Sequence, residues 1–335
     1  MDRVETVPVP ACPVCGRGDA PVLHADLEDR AFGVAPGRWT MRRCTCGAGF
    51  LDPRPADHEV GRLYATYYTH EPPSPNVAPT GIGMLLRRLR DGYANAQLGH
   101  DRESGLRAGA LLGRGIPPVG ALMERPLRSL PPGRVLDVGC GSGLFVGEAN
   151  AAGFDARGID LDEQAVAVAR AAGLPVDTAR LEEVAEQEPG SYDAVTMSHV
   201  IEHVTDPVAF LGAARTVLRA GGLIWIATPN LGGVGHRRFG REWRGLEPPR
   251  HMVVFDRPSI ELALETAGFA DVRWLRPTPV HHHIHAISAN GAAGRVPTDL
   301  VGKRKSDVRR GARYDALAQV RRHGNDELLL LARAV

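Results

Sequence analysis

The segment Asp137-Val138-Gly139-Cys140-Gly141-Ser142-Gly143 places three glycines at alternate positions behind a short apolar run. Glycine leaves the backbone open where a strand turns into a helix, so a ligand can approach the chain itself. A dinucleotide fingerprint asks for its third glycine one place later, where Leu144 stands, so the spacing departs from a pyrophosphate cradle. Asp160 follows Gly139 by 21 positions and ends the next apolar run. A carboxylate there can accept hydrogen bonds from both hydroxyls of a ribose. Loop and acid together predict a ligand that contains a nucleoside.

A second chemistry lies near the N-terminus. Cys12-x2-Cys15 and Cys44-x-Cys46 are separated by 28 residues, and each pair sits beside a glycine, Gly16 or Gly47. Tight turns of this kind bring thiolates to one tetrahedral ion, and zinc is the metal the set favours. Four sulfurs would close the coordination shell, which leaves the module a structural or substrate-capping role. Unligated buried thiols are the competing reading. Five cysteines in the whole chain are too few, and odd in number, for a disulfide framework.

Three groups of histidines could remove a proton from an acceptor. His199 and His203 flank Glu202, a set that also admits a second divalent ion; its structural alternative is that Glu202 and His203 satisfy backbone groups at a helix start. His251 lies in Glu247-Pro248-Pro249-Arg250-His251, where it is either a base or a pin for a loop. His281, His283 and His285 would share one face if that run were extended, a spacing that suits a transition metal. The cluster Lys303, Arg304, Lys305, Arg309 and Arg310 reads as a solvated basic face.

The elements that must position these groups fall into three zones. Residues 1–55 are turn-rich and hold both cysteine pairs. Residues 56–130 form a helical cap or linker, with a basic amphipathic stretch from Met84 to Tyr93. Residues 131–335 alternate short apolar runs with Ala-rich or charged helical stretches, which predicts an α/β fold with a largely parallel sheet covered on both faces. The expected strands are Val135–Val138, Ala156–Ile159, Ala194–Met197, Leu223–Ala227, and a closing pair at Val272–Leu275 and Glu327–Leu331. The expected helices include Asp162–Ala172.

The series V-L-D-V-G-C-G-S-G, G-I-D-L-D, S-Y-D-A-V-T-M-S-H-V-I-E-H-V-T-D-P and G-G-L-I-W-I-A-T-P-N resembles the ordered motifs of class I S-adenosylmethionine-dependent methyltransferases. The likeness runs from Arg134 to the C-terminus and implies a Rossmann-like sheet. It implies that Gly139, Gly141 and Gly143 wrap the methionine part of S-adenosylmethionine while Asp137 orients the loop. Asp160 would hold the ribose, Leu161 and Leu181 would border the adenine, and Met197 would sit beside the sulfonium. The core is similar to ubiquinone-type O-methyltransferases, whose Glu-x-x-Glu-His stretch is associated with a divalent ion; His199 replaces the first Glu here. The N-terminal cysteines resemble a zinc-ribbon-like module found in one subfamily, in which the second pair is usually one residue longer. The same resemblance makes Phe239 to Trp243, followed by Pro249 to His251, a lid suited to a polar or anionic acceptor. It also makes Tyr67, Tyr68 and His70 an acceptor cap. His251 and His199 are the expected catalytic residues.

A small-molecule acceptor is the favoured substrate: a sugar, lipid or secondary metabolite, methylated at oxygen or at carbon. Lys and Arg total 40 against 39 for Asp and Glu, so there is no broad basic field to gather nucleic acid. An RNA methyltransferase gripping its substrate through the zinc module, or a cofactor-binding protein that has lost methyl transfer, are the alternatives. No run reaches the ~18 to 20 apolar residues of a membrane span, and the expected compartment is the cytoplasm.

Overall fold

The computed structural model describes residues 4–30, 33–64, 81–98, 104–115, 129–275, 281–294, 305–321 and 324–335. Tyr67, Tyr68, His70, Lys303 and Arg304 lie outside them.

The N-terminal part contributes β1 (Thr6–Val7), β2 (Val22–Leu27), β3 (Trp39–Arg43), β4 (Gly49–Leu51) and β5 (Arg54–Pro55), followed by helices α1 (Ile82–Leu98) and α2 (Ala108–Gly115). Strands and helices then alternate: β6 (Arg134–Val138), α3 (Leu144–Ala151), β7 (Asp155–Asp160), α4 (Glu163–Ala171), β8 (Val176–Thr178), α5 (Leu181–Gln187) and β9 (Tyr192–Ser198). Next come α6 (Pro207–Val217), β10 (Leu218–Pro229), α7 (Val234–Phe239), β11 (Val253–Val254), α8 (Arg257–Thr266) and β12 (Phe269–Trp274). The chain closes with α9 (His281–Ala292), α10 (Lys305–Arg321) and β13 (Glu327–Ala334).

Seven strands form one sheet in the order β12-β13-β10-β9-β6-β7-β8. All run parallel except β13, which is antiparallel to both neighbours. Side chains alternate across a strand, so each apolar run feeds two cores. Leu136, Val138, Val195, Ile224, Ile226, Leu328 and Leu330 pack on one face with α5, α6 and α8. Val135, Ala156, Ala194, Trp225, Leu329 and Leu331 pack on the other with α3 and α4. Burying one such leucine or isoleucine contributes about 1.5–3 kcal/mol, which is why the register is held at every strand.

Helix starts are set by side-chain caps. Asp162 accepts from the backbone N–H groups of Gln164 and Ala165 at the head of α4, and Asp206 from Ala209 at the head of α6. Asp256 and Ser259 cap α8 reciprocally. Each cap contributes about 1 kcal/mol.

A second sheet has the order β11-β4-β3-β2. Its outer strand β11 comes from residues 253–254, so the sheet next to the cysteines is completed by a segment of the distant chain. Their contact is close: a Cβ on Gly47 would lie 2.2 Å from Asp256 Oδ1. The histidine run is not extended. His281 to His285 open α9, so alternate residues do not share a face, and the metal spacing expected of a strand is lost. His285 is buried, its ring 5.0 Å from Phe239 and 4.7 Å from Tyr314. Among the described residues no helix is long and apolar enough to cross a membrane.

Candidate active site

The glycine loop leaves the carboxyl end of β6. Gly139 and Cys140 both donate their N–H groups to the Ile159 carbonyl, at 2.8 and 3.1 Å, which ties the loop to the tip of β7. Gly139, Gly141 and Gly143 take φ values of 70, 53 and 76°, the left-handed region that other residues rarely enter. At two of them space is also closed: a Cβ on Gly139 would lie 2.5 Å from Val200 Cγ2, and one on Gly143 would lie 2.8 Å from Leu174 Cδ1.

Asp160 stands at the tip of β7. Its Oδ2 accepts from the N–H of Gly141 at 2.8 Å and its Oδ1 from that of Asp162 at 2.9 Å. A carboxylate has about four acceptor positions, so two remain once the loop is fixed. Asp137 lies beneath, buried in β6, with Thr196 Oγ1 donating to Oδ1 at 2.6 Å. Burial pushes the Asp137 carboxyl up to about 7; the Thr196 hydrogen bond opposes this and the charge of Asp160 adds to it. Burial, with the carboxylates of Asp137 and Asp160, also pushes the Cys140 thiol far up, so it is no nucleophile.

The expected apolar neighbours divide. Leu161 is 62% exposed beside the loop, and Leu144 is 50% exposed just after it. Leu181 and Met197 are buried in the core cluster that contains Leu136 and Val138. Met197 is therefore core packing in this structure rather than an open wall of the cleft.

Across the sheet edge, β9 ends at Ser198, and His199 follows with a φ of 57°. Its half-exposed ring is held between two carboxylates: Nδ1 lies 3.1 Å from Glu202 Oε1, and Nε2 lies 3.2 Å from Glu327 Oε1. Desolvation disfavours its charge, but the two carboxylates prevail and raise its pKa well above 6.5. Glu202 is fully buried and also accepts from Thr228 Oγ1 at 2.9 Å. Burial works against its charge, yet His199 holds it down to about 2.

His203 and His251 sit side by side, ring centroids 4.8 Å apart, with Tyr64 edge-on to His203 at 5.7 Å. His203 Nδ1 donates to the Arg250 carbonyl at 3.0 Å, and His251 Nδ1 to that of Gly245 at 2.8 Å. His251 is 5% exposed, and burial lowers its pKa to about 4. This is a neutral ring that pins the turn at Arg244–Leu246. The ligand atoms that converge are those of Glu202, His203 and His251, all within 4.8 Å of one another. His199, expected in a metal set with Glu202 and His203, is instead engaged by two acids. Arg250, expected to greet an anionic acceptor, is wholly buried and faces Asp29 and Glu247. Neither Asp29 nor Glu327 was legible as part of this region, because no motif joins residues so far apart.

The four N-terminal thiols do come together. Cys12 Sγ lies 3.7 Å from Cys46 Sγ, and Cys15 Sγ 3.3 Å from Cys44 Sγ. Two turns make this possible: Gly16 donates to the Cys12 carbonyl and Gly47 to that of Cys44. The shorter second pair thus still reaches the first.

The Methyltransferase domain family matches residues 118–273. Over 108 residues the chain is 41% identical to a ubiquinone biosynthesis O-methyltransferase of Xanthomonas campestris pv. campestris (strain B100), covering 30% of this chain and 45% of that protein. It thus spans less than half the length of that relative. Against the protein of that name from Ralstonia nicotianae the identity is 34% over 173 residues, covering 48% of this chain and 69% of the other. Among solved structures, an S-adenosylmethionine-dependent methyltransferase from Mesorhizobium loti is 21% identical, with a TM-score of 0.43, covering 66% of this chain and 99% of that one.

Proposed function

The chain belongs to the class I S-adenosylmethionine-dependent methyltransferases, and from that premise we propose that it transfers a methyl group from S-adenosylmethionine to an oxygen of a small-molecule acceptor. The observation that carries this reading is the pairing of three left-handed glycines with Asp160 at neighbouring strand tips.

The residues present fit the cofactor. The glycines leave backbone uncovered where the methionine part would lie, and Asp160 keeps acceptor positions for two ribose hydroxyls. Leu161, an apolar side chain left exposed beside them, offers a face to the adenine. When bound, S-adenosylmethionine supplies an electrophilic methyl group on a sulfonium.

What the chain adds is alignment and field. Two carboxyl groups, Glu202 and Glu327, flank the single ring of His199, whose pKa they raise well above 6.5, so the tip is acidic in balance and complements a cation. His199 is thereby a positioning residue, with both ring N–H groups already used. His251 holds the turn at Arg244–Leu246 over this edge rather than meeting the acceptor. The acceptor's hydroxyl needs an in-line approach to the methyl carbon, and favouring oxygen over carbon follows the curated relatives.

The cysteine set supports a structural zinc ion held by Cys12, Cys15, Cys44 and Cys46. Tetrahedral zinc with bonds of about 2.3 Å sets its sulfurs about 3.8 Å apart, close to the spacing observed. The reading as a whole is tested by calorimetry with S-adenosylhomocysteine and by radiolabel transfer from S-adenosylmethionine to a metabolite extract. Binding should be seen in the native chain and lost in Asp160→Ala. A protein that ignores both forms of the cofactor would end the proposal.

A further inference from the structure

Of the histidines at this edge of the sheet, His203 is the one whose chemistry the fold leaves open. The ring of His199 is engaged at both nitrogens by carboxylates. His251 is nearly shut off from solvent, and its Nε2 faces Glu247 Oε2 at 3.7 Å. His203 is only partly buried. Its Nδ1–H is spent on the Arg250 carbonyl, so in the neutral ring the lone pair stands on Nε2, which makes no hydrogen bond among the described residues. The tautomer is thus fixed by a residue whose own guanidinium is held by Asp29, Glu247 and the Leu63 carbonyl.

The position of His203 brings it beside the cofactor loop. β9 lies parallel to β6, with Met197 opposite Val138, so the loops that follow the two strands leave the same edge. After β9, Val200 abuts Gly139, and the Val200 carbonyl accepts from the N–H of His203 at 2.9 Å. Tyr64, which ends the segment Asp57–Tyr64, sets its ring edge-on to His203 at 5.7 Å. The charges of Glu202 and Asp160 both act on its phenol, which therefore lies within electrostatic reach of the acid beneath His203 and of the one assigned to the ribose.

We propose that His203 is the general base of methyl transfer, its Nε2 taking the proton from the acceptor hydroxyl. The inference rests on the O-methylation reading and supplies a destination for the proton.

The step balances without a further reactant. The acceptor O–H gives its proton to Nε2 while the oxygen lone pair forms the bond to the methyl carbon, and the carbon–sulfur bond breaks with its electron pair left on sulfur. One positive charge thereby passes from the sulfonium to the imidazole. Glu202 is placed to stabilise it there, with a carboxylate oxygen within 4.8 Å of a His203 ring nitrogen. Burial works against the Glu202 charge, and His199 and then His203 favour it. Because the ring is partly exposed, the proton can then leave to water. A base held in this way contributes about 10²–10⁴-fold.

The full chain is assayed by radiolabel transfer from S-adenosylmethionine to the acceptor fraction that the native protein labels in a metabolite extract. His203→Asn keeps a donor at the Nδ1 position for the Arg250 carbonyl but has no group at Nε2. Its turnover should fall by about 100-fold or more, with affinity for S-adenosylhomocysteine within about twofold of native. His203→Ala should be equally slow, and added imidazole should restore part of its turnover in proportion to concentration. Turnover by His203→Asn within about threefold of native would overturn the proposal and leave His203 as a pin for Arg250. So would a His203→Ala chain that binds S-adenosylhomocysteine but does not respond to imidazole. Loss of S-adenosylhomocysteine affinity in step with turnover would assign the residue to the cofactor instead. A divalent ion bound besides any held by the thiols, measured by elemental analysis and absent from His203→Asn, would make His203 a metal ligand and not a base. A native chain that labels no fraction would remove the methyl transfer on which the inference stands.

Discussion

Arg250 and Asp29, 221 positions apart, meet as a two-pronged ion pair, with Nη2 2.8 Å from Oδ1 and Nη1 3.4 Å from Oδ2. Both side chains are almost completely shut off from solvent. Arg250 Nε also donates to Glu247 Oε1 at 2.9 Å, and Asp29 Oδ2 accepts from the N–H groups of Val34 and Ala35. The pair therefore joins the loop after β2 to the turn that carries His251.

Breaking that pair from one side strands a charge in the interior. Asp29→Ala should cost about 3–5 kcal/mol, read as a lower midpoint in urea. Arg250→Lys should cost nearly as much, because a single ammonium cannot reproduce the fork that reaches two acids. Near-native stability in either variant would show that the turn is held by its apolar contacts alone.

Gly139→Ala tests the loop. The new methyl group must take a φ of 70° and would lie 2.5 Å from Val200 Cγ2. The left-handed conformation alone costs about 1–2 kcal/mol, and relief by shifting Val200 would disturb the tip beside His199. Affinity for S-adenosylhomocysteine should fall by roughly tenfold or more in calorimetry. An unchanged affinity would mean the cofactor does not lie against this backbone.

The sheet was readable because its signal is local. Val135–Val138 is apolar but for Asp137, and a strand covered on both faces needs little else; the structure extends it by one residue, to Arg134–Val138. The closing pair was found as well, as Phe269–Trp274 and Glu327–Ala334. The histidine run misled because spacing on an assumed strand says nothing when the segment is a helix. His251 and Arg250 looked like pocket residues on their chemistry alone. Whether a ring or a guanidinium is open depends on Gly245, Glu247 and Asp29, and the last of these lies 221 positions away from Arg250.

His199 gives a pH dependence with a definite sign. Its folded pKa lies well above 6.5, so the folded state holds a proton that the unfolded chain releases. Its contribution is fully present below 6.5 and is lost as pH rises through the folded value. His251 and His236 work the other way: both are lowered to about 4, so stability falls as pH drops from 6.5 toward 4. Glu202 adds a loss only as pH falls toward about 2. Stability measured in urea should thus decline on both sides of the region near 6.5. His199→Gln should flatten the alkaline decline while leaving the acid one in place. If the alkaline decline survives the substitution, the proton between Glu202 and Glu327 is not the one being released.

Metal removal bears on how far the cysteine module supports the rest. Cys12, Cys44 and Val14 pack in the same core cluster as Ile260 and Phe255, so loosening the thiols disturbs contacts with α8. Zinc at about 1,000 times its Kd would stabilise the folded chain by about 4 kcal/mol. Stripping it with a strong chelator should lower the Tm, and adding zinc should restore it. Cys15→Ser should abolish retention of the metal, measured by a colorimetric zinc assay after denaturation. Binding of S-adenosylhomocysteine at temperatures below the lowered Tm should persist, because neither Asp160 nor the glycine loop touches the thiols. Protein isolated without metal, its thiols joined as Cys12 to Cys46 and Cys15 to Cys44, would instead make the close sulfur pairs a redox feature and remove zinc from the account.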